Sequence, residues 1–101
     1  MQNLDAKTFK EKIAIDPEGV IIDVRSPQEE AEGLIENSIN INIMDPSFTE
    51  KVSNLSKEKN YYIYCRSGGR SASACGFMES NGFKNTYNLI GGIQAWNTLE
   101  K

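Results

Sequence analysis

The run Cys65-Arg66-Ser67-Gly68-Gly69-Arg70-Ser71 holds the chemistry that this chain can do. It follows an aromatic, strand-like stretch (Tyr61, Tyr62, Ile63, Tyr64) and precedes a helix-like one. A thiol at that junction sits where backbone N–H groups and the positive end of a helix dipole converge. Such settings lower a thiol from about 8.5 into the range of roughly 3.5–7.5, and the thiolate is the reactive form. Cys65 is therefore a candidate nucleophile. Between Tyr61 and Met78 the only charged side chains are Arg66 and Arg70, in a chain with 14 acidic and 11 basic residues and a net charge of −3. A locally positive loop on an acidic protein suits a small anionic substrate. Nucleic acid is not expected as a partner, because it would need a broader basic face.

Histidine is absent and the two cysteines, Cys65 and Cys75, lie ten residues apart. Neither a zinc-ligand set nor a Cys-His or Ser-His pair can be assembled from them, so chemistry at Cys65 must proceed without a histidine base. The cysteines do not form the pattern of a secreted disulfide framework, and reduced thiols are expected. With 101 residues, 39% of them hydrophobic, residues 1–101 fit one domain around one core. The amino terminus lacks a basic start followed by an apolar segment, and no apolar run approaches the roughly 20 residues that span a bilayer. A soluble, cytoplasmic monomer with no membrane partner is the expectation.

The elements that must position the loop alternate along the chain. Asp5 can cap a helix with Ala6, Phe9 and Ile13 on one face, ending before the turn Pro17-Glu18-Gly19. Val20-Ile21-Ile22-Asp23-Val24 reads as a strand buried on both faces, with Asp23 and Arg25 emerging at its carboxyl edge. Ser26-Pro27-Gln28-Glu29 carries a capping residue, a proline at the first helical position and a glutamate three residues after the cap. A short helix should run from there toward Glu32, stopped by Gly33. Ser38–Ile43 alternates as a strand with one covered face would, at a sheet edge. Asp45-Pro46-Ser47 opens a helix bearing Phe48, Val52 and Leu55, followed by a polar linker. Beyond the glycine loop, Ala72, Cys75 and Met78 share a helical face that Asn81-Gly82 ends. Thr86–Leu89 is the last strand, and Gly91-Gly92 turns into a helix that packs Ile93 and Trp96 inward. This alternation predicts an α/β fold with a mainly parallel sheet, whose ligands bind beyond the carboxyl ends of the strands.

Three patches together resemble the rhodanese, or thiosulfate sulfurtransferase-like, family, and the likeness spans nearly the whole chain. They are Ile21-Ile22-Asp23-Val24-Arg25 with Glu29, the Cys65–Ser71 loop, and Asn88-Leu89-Ile90-Gly91-Gly92-Ile93 with Trp96. A fourth patch agrees in part. Where members commonly carry Gly-His-Ile-Pro-Gly-Ala, this chain has Gly33-Leu34-Ile35-Glu36-Asn37-Ser38, which implies altered local packing or surface. The resemblance implies a central five-stranded, mainly parallel sheet flanked by helices on both faces, and a Cys65 that becomes a persulfide while sulfur passes from donor to acceptor. A small anionic sulfur donor such as thiosulfate or a polysulfide, and a cyanide or thiol acceptor that includes protein thiols, follow from it. No metal or organic cofactor is implied.

Within the loop, amides freed by Gly68 and Gly69 are expected to surround the terminal sulfur. Arg66 and Arg70 are expected to draw in the donor, Arg70 making the direct contact. Ser67 can donate a hydroxyl, and Ser71 can cap the following helix. Arg25, four positions before Glu29, suits a local ion pair holding strand to helix, which makes Asp23 and Arg25 structural support. Cys75 reads as a core residue, Gly91-Gly92 as a tight turn, and the tyrosine cluster as core and rim. Two other functions compete with sulfur transfer by turnover. One is a sulfur-carrier or binding module serving a dedicated protein partner. The other is a cysteine-based phosphatase, whose Cys-x5-Arg loop is one residue longer than the Cys-x4-Arg interval here, leaving this ring of amides too small for a tetrahedral phosphate.

Overall fold

A strand covered on both faces must present apolar side chains in both directions, and successive residues of Tyr61-Tyr62-Ile63-Tyr64-Cys65 do so by simple alternation. The computed structural model describes residues 1–99. Its strands are β1 (Gln2–Leu4), β2 (Val20–Asp23), β3 (Ile39–Asn40), β4 (Asn60–Tyr64) and β5 (Asn85–Leu89). They form one wholly parallel sheet in the order β1-β5-β4-β2-β3. The helices are α1 (Ala6–Ala14), α2 (Pro27–Glu30), α3 (Phe48–Ser53), α4 (Gly69–Ser80) and α5 (Gly92–Leu99). Tyr61, Ile63 and Cys65 join one core with Phe48 and Val52 of α3 and Ala74, Cys75 and Met78 of α4. Tyr62 and Tyr64 join a second core with Ala6 and Phe9 of α1 and Ile93 of α5. Helices thus cover both faces, and all three β4 tyrosines are buried. No helix among the described residues is long and apolar enough to cross a membrane.

Local sequence chemistry sets the helix starts. The Asp5 carboxylate accepts from the Thr8 N–H at 2.8 Å and begins α1. Ser26 and Glu29 form a reciprocal capping box with Pro27 at the first helical position, so α2 begins where the sequence predicts. It ends at Glu30, two residues earlier than expected. The predicted strand over 38–43 shrinks to Ile39–Asn40, and its covered face holds at Ile41 and Ile43 but fails at Ile39, which is 44% exposed. The reason is that β2 ends at Asp23 and gives way to the Ser26 cap, so beyond Asn40 the chain bonds only to the strand's last carbonyl and the one after it: Ile41 N–H to Asp23 and Ile43 N–H to Val24. β1 is an element that the sequence pattern does not reveal. It pairs with β5 at the far edge, setting Asn3 opposite Asn88.

Candidate active site

β4 is the middle strand of five, so the loop that leaves its carboxyl end emerges at the centre of the sheet, between the ends of β2 and β5. The turn from β4 into α4 needs a left-handed residue, and Gly68 supplies it with φ +111° as the residue before the helix. Gly69 does not share that role. It is already the first residue of α4, with no positive φ and nothing within 4 Å of where a Cβ would stand. Arg66 and Ser67 lie exposed on the loop's outer side.

Cys65 is 1% exposed and its Sγ receives the Gly68 N–H at 3.1 Å and the Ser71 N–H at 3.4 Å, with Ser71 Oγ at 3.3 Å. Burial by itself pushes a thiol up. Here the bonds from the Ser71 hydroxyl and from the Ser71, Gly68 and Ser67 amides outweigh it, and the Cys65 thiol is held below its ordinary value. The first turn of α4 lies directly behind these donors and adds its dipole. The carbonyls of the loop are turned away and engaged from the other side, where α5 begins. Ile93 N–H donates to the Cys65 carbonyl at 2.9 Å and Gln94 N–H to that of Arg66 at 3.3 Å. The loop therefore offers the sulfur donors and not acceptors.

Ser71 does not cap α4 as its place in the sequence predicts: Gly68 occupies the capping position and makes no side-chain cap. The Ser71 hydroxyl, fully buried, faces Cys65 and lies 2.5 Å from Asn88 Oδ1. Asn88 in turn donates to Asn3 Oδ1 at 2.9 Å. Asn3 belongs to no motif, and Asn88 opens the third family-like patch without a role assigned to it there. The available signal is a polar residue two positions beyond Thr86 in a strand buried on both faces, since Thr86 and Asn88 are both buried.

The arginines exchange the partners that spacing suggests. Arg25 does not pair with the Glu29 carboxylate. Its guanidinium forks onto Asp23, Nε to Oδ1 at 2.9 Å and Nη2 to Oδ2 at 2.8 Å, and it reaches only the backbone carbonyls of Glu29 and Gly33. Both members of this pair are buried, and Tyr64 adds its hydroxyl to Asp23 Oδ2 at 3.1 Å. The Glu29 carboxylate instead takes Arg70 in a bidentate pair at 2.7 and 2.8 Å. Arg70, expected to touch the donor directly, makes this pair with α2 while standing within electrostatic reach of Cys65. Arg66 is the exposed cation of the loop and makes no ion pair among the described residues; with Arg25, Glu29, Glu32, Gln94 and Asn97 it lines a cleft of about 160 Å³. Arg25 lines the wall of that cleft, and Asp23 anchors its guanidinium from behind.

The Arg70 guanidinium holds the Glu29 carboxyl down to about 2 from an ordinary 4.5. A carboxyl depressed in the folded protein adds stability that is complete above its ordinary value and is lost as pH falls through the folded one. The wild type should therefore lose more stability than Glu29→Gln as pH drops from about 4.5 to about 2, while both respond alike above pH 5. Urea midpoints measured across that window check this, and parallel curves would contradict it.

A family model described as a rhodanese-like domain matches residues 5–99. YtwF of Bacillus subtilis (strain 168), whose name places it provisionally among the sulfurtransferases, is 41% identical over 96 residues, covering 95% of this chain and 90% of that protein. A protein of Allochromatium vinosum named sulfurtransferase is 30% identical over 96 residues, 95% of this chain and 88% of its own. Among solved structures, a rhodanese-related protein from Thermoplasma volcanium superposes with a TM-score of 0.85 at 35% identity, covering 98% of this chain and 93% of the other. Sequence, fold and full-length similarity agree, and the chain belongs to the family of rhodanese-like domains.

Proposed function

We propose that this protein is a sulfurtransferase that moves sulfane sulfur from thiosulfate, a polysulfide or a persulfide to a nucleophilic acceptor through a Cys65 persulfide. One observation carries the reading: a buried thiol whose sulfur is met by two backbone amides and a hydroxyl, with a helix start behind them. With thiosulfate, the Cys65 thiolate attacks the outer sulfur, a new S–S bond forms, the old one breaks and its electron pair leaves on sulfite. The persulfide's terminal sulfur carries the charge, and the loop amides are placed to receive it. A cyanide or thiolate acceptor then attacks that sulfur and returns Cys65 as thiolate, so the cycle is two-step covalent catalysis without an added base. The near-complete burial of Cys65 favours a slim terminal sulfur over a bulky electrophile. Arg66, exposed beside the cleft, attracts the anionic donor. The relatives named as sulfurtransferases support the same chemistry.

Incubation with thiosulfate or a polysulfide is expected to add the mass of one sulfur atom at Cys65, and cyanide to remove it as thiocyanate. Mass spectrometry of the intact protein and of the Cys65 peptide checks both steps. If neither donor modifies Cys65, the sulfurtransferase reading is wrong. Transfer from the loaded protein to a protein thiol but not to cyanide or small thiols would identify a dedicated carrier instead.

A further inference from the structure

Ser71 has one hydroxyl proton and three neighbours that compete for it. Its Oγ lies 2.5 Å from Asn88 Oδ1, 3.1 Å from the Gly68 carbonyl oxygen and 3.3 Å from Cys65 Sγ. The two oxygens can only accept, whereas sulfur accepts as thiolate and donates as thiol. Turning the Asn88 amide over would not relieve the competition. Its Nδ2 donates to Asn3 Oδ1 at 2.9 Å and faces the Gly68 carbonyl at 3.4 Å, so an oxygen there would meet two oxygens. Cys65, Ser71 and Asn88 are 1%, 0% and 4% exposed, which leaves water little part in the arrangement. Asn3 and Asn88 are direct register partners on β1 and β5, so the edge strand holds the amide in place.

We propose that Asn88 is a positioning residue that draws the Ser71 hydroxyl proton away from Cys65 while Sγ is uncharged and yields it when Sγ becomes a thiolate. Its consequence for turnover rests on the sulfur-transfer reading; its geometry does not. In the loaded protein Sγ is neutral, the charge lies on the outer sulfur, and the hydroxyl points to Asn88 Oδ1. During unloading, the acceptor's electron pair forms the new bond to the outer sulfur, the bond to Sγ breaks, and that pair stays on Sγ. The hydroxyl turns from Asn88 to meet the charge, and no proton leaves the site. During loading the rotation reverses. A competing acceptor keeps the resting thiolate less stabilised than Ser71 alone would make it. That preserves nucleophilicity for loading, while stabilisation of the departing thiolate remains available during unloading.

The thiolate-to-thiol ratio of Cys65, followed by ultraviolet thiolate absorbance against pH, tests this without any sulfur donor. Cys75, pushed up to about 12 by burial, stays silent in the range used. Replacing the amide by an apolar group of similar size, Asn88→Leu, removes the nearest competitor and leaves only the Gly68 carbonyl to vie with sulfur for the proton, which should raise the ratio about three- to tenfold at fixed pH. Ser71→Ala should lower it comparably, and the double variant should follow Ser71→Ala. Asn3→Ala, at an exposed position, frees the amide to turn and should raise the ratio by less than Asn88→Leu. A purely structural Asn88 would give the opposite sign, because a loosened loop loses donors to the thiolate. The proposal is overturned if Asn88→Leu lowers the ratio or leaves it unchanged; should that variant not fold, Asn3→Ala decides by the same sign. At a pH high enough to ionise Cys65 fully in both proteins, as the absorbance titration shows, single-turnover loading from thiosulfate should slow and unloading to cyanide should quicken in Asn88→Leu. If the ratio rises but the wild type neither loads nor unloads, the sulfur-transfer reading has failed and the assignment of Asn88 stands.

Discussion

Cys65→Ser abolishes sulfur loading, with turnover lower by at least about a thousandfold, while Cys75→Ser keeps most of both. Burial cannot produce this difference, since the two cysteines are 1% and 0% exposed. Their surroundings do. Cys65 Sγ faces two amides and a hydroxyl at the start of α4, which hold its thiol below the ordinary value. Cys75 lies within α4, packed in the core that contains Ala74, Met78 and Phe83, and burial pushes it up to about 12. At neutral pH Cys75 therefore stays a protonated thiol. Serine at position 65 is a poor substitute, because a hydroxyl needs a base to become a nucleophile and the chain contains no histidine. Thiocyanate release and the mass of the loaded protein measure the two variants side by side, with circular dichroism to show that each is folded. Equal losses would show Cys75 to be part of the chemistry.

What could be read from the residues follows the range of the interactions involved. The caps at Asp5 and at Ser26-Pro27-Gln28-Glu29 are closed within three residues, and the structure forms both. The parallel sheet follows from the alternation of strand-like and helix-like segments, and its strand order places Cys65 at a central carboxyl end. The tyrosines of β4, read as core and rim, are all buried, because helices cover both faces of that strand. β1 escapes because three residues carry no period and their partner β5 is over eighty positions away. The arginine pairings escape for a related reason. The i,i+4 rule describes two residues on one helix, but Arg25 stands before α2, where its fork reaches Asp23 at the end of the strand. That leaves the Glu29 carboxylate to the capping box and to Arg70, which arrives from forty-one positions on. The Ser71–Asn88–Asn3 chain joins three elements in space, and only the tertiary fold brings it together.

Gly92→Ala should cost about 3 kcal/mol or more, lower the melting temperature by at least about 10 °C, and impair loading of Cys65 even where the protein remains folded. Gly92 has φ +59°, which alone disfavours alanine by about 1 kcal/mol or more. Steric contact costs more than the backbone angle does. A Cβ there would run into the carbonyl group of Arg66 and would stand 2.5 Å from the carbonyl oxygen of Cys65. These are backbone atoms, so no rotamer change relieves them. They are also the carbonyls that the Ile93 and Gln94 amides hold away from the sulfur, so displacing them disturbs the ring of donors on its far side. Gly69→Ala is the control. It is the first residue of α4 as Gly92 is of α5, in helical conformation with open space where the Cβ would go, and should leave stability unchanged or raise it by up to about 1 kcal/mol. Thermal melts and single-turnover loading of both variants, measured together, separate the two glycines. A Gly92→Ala protein that melts and loads like the wild type would mean that the close approach of α5 to the loop does not shape the site. The opposite result would make the start of α5 as much a part of the thiol's environment as the start of α4, one helix directing donors at the sulfur and the other taking the acceptors away.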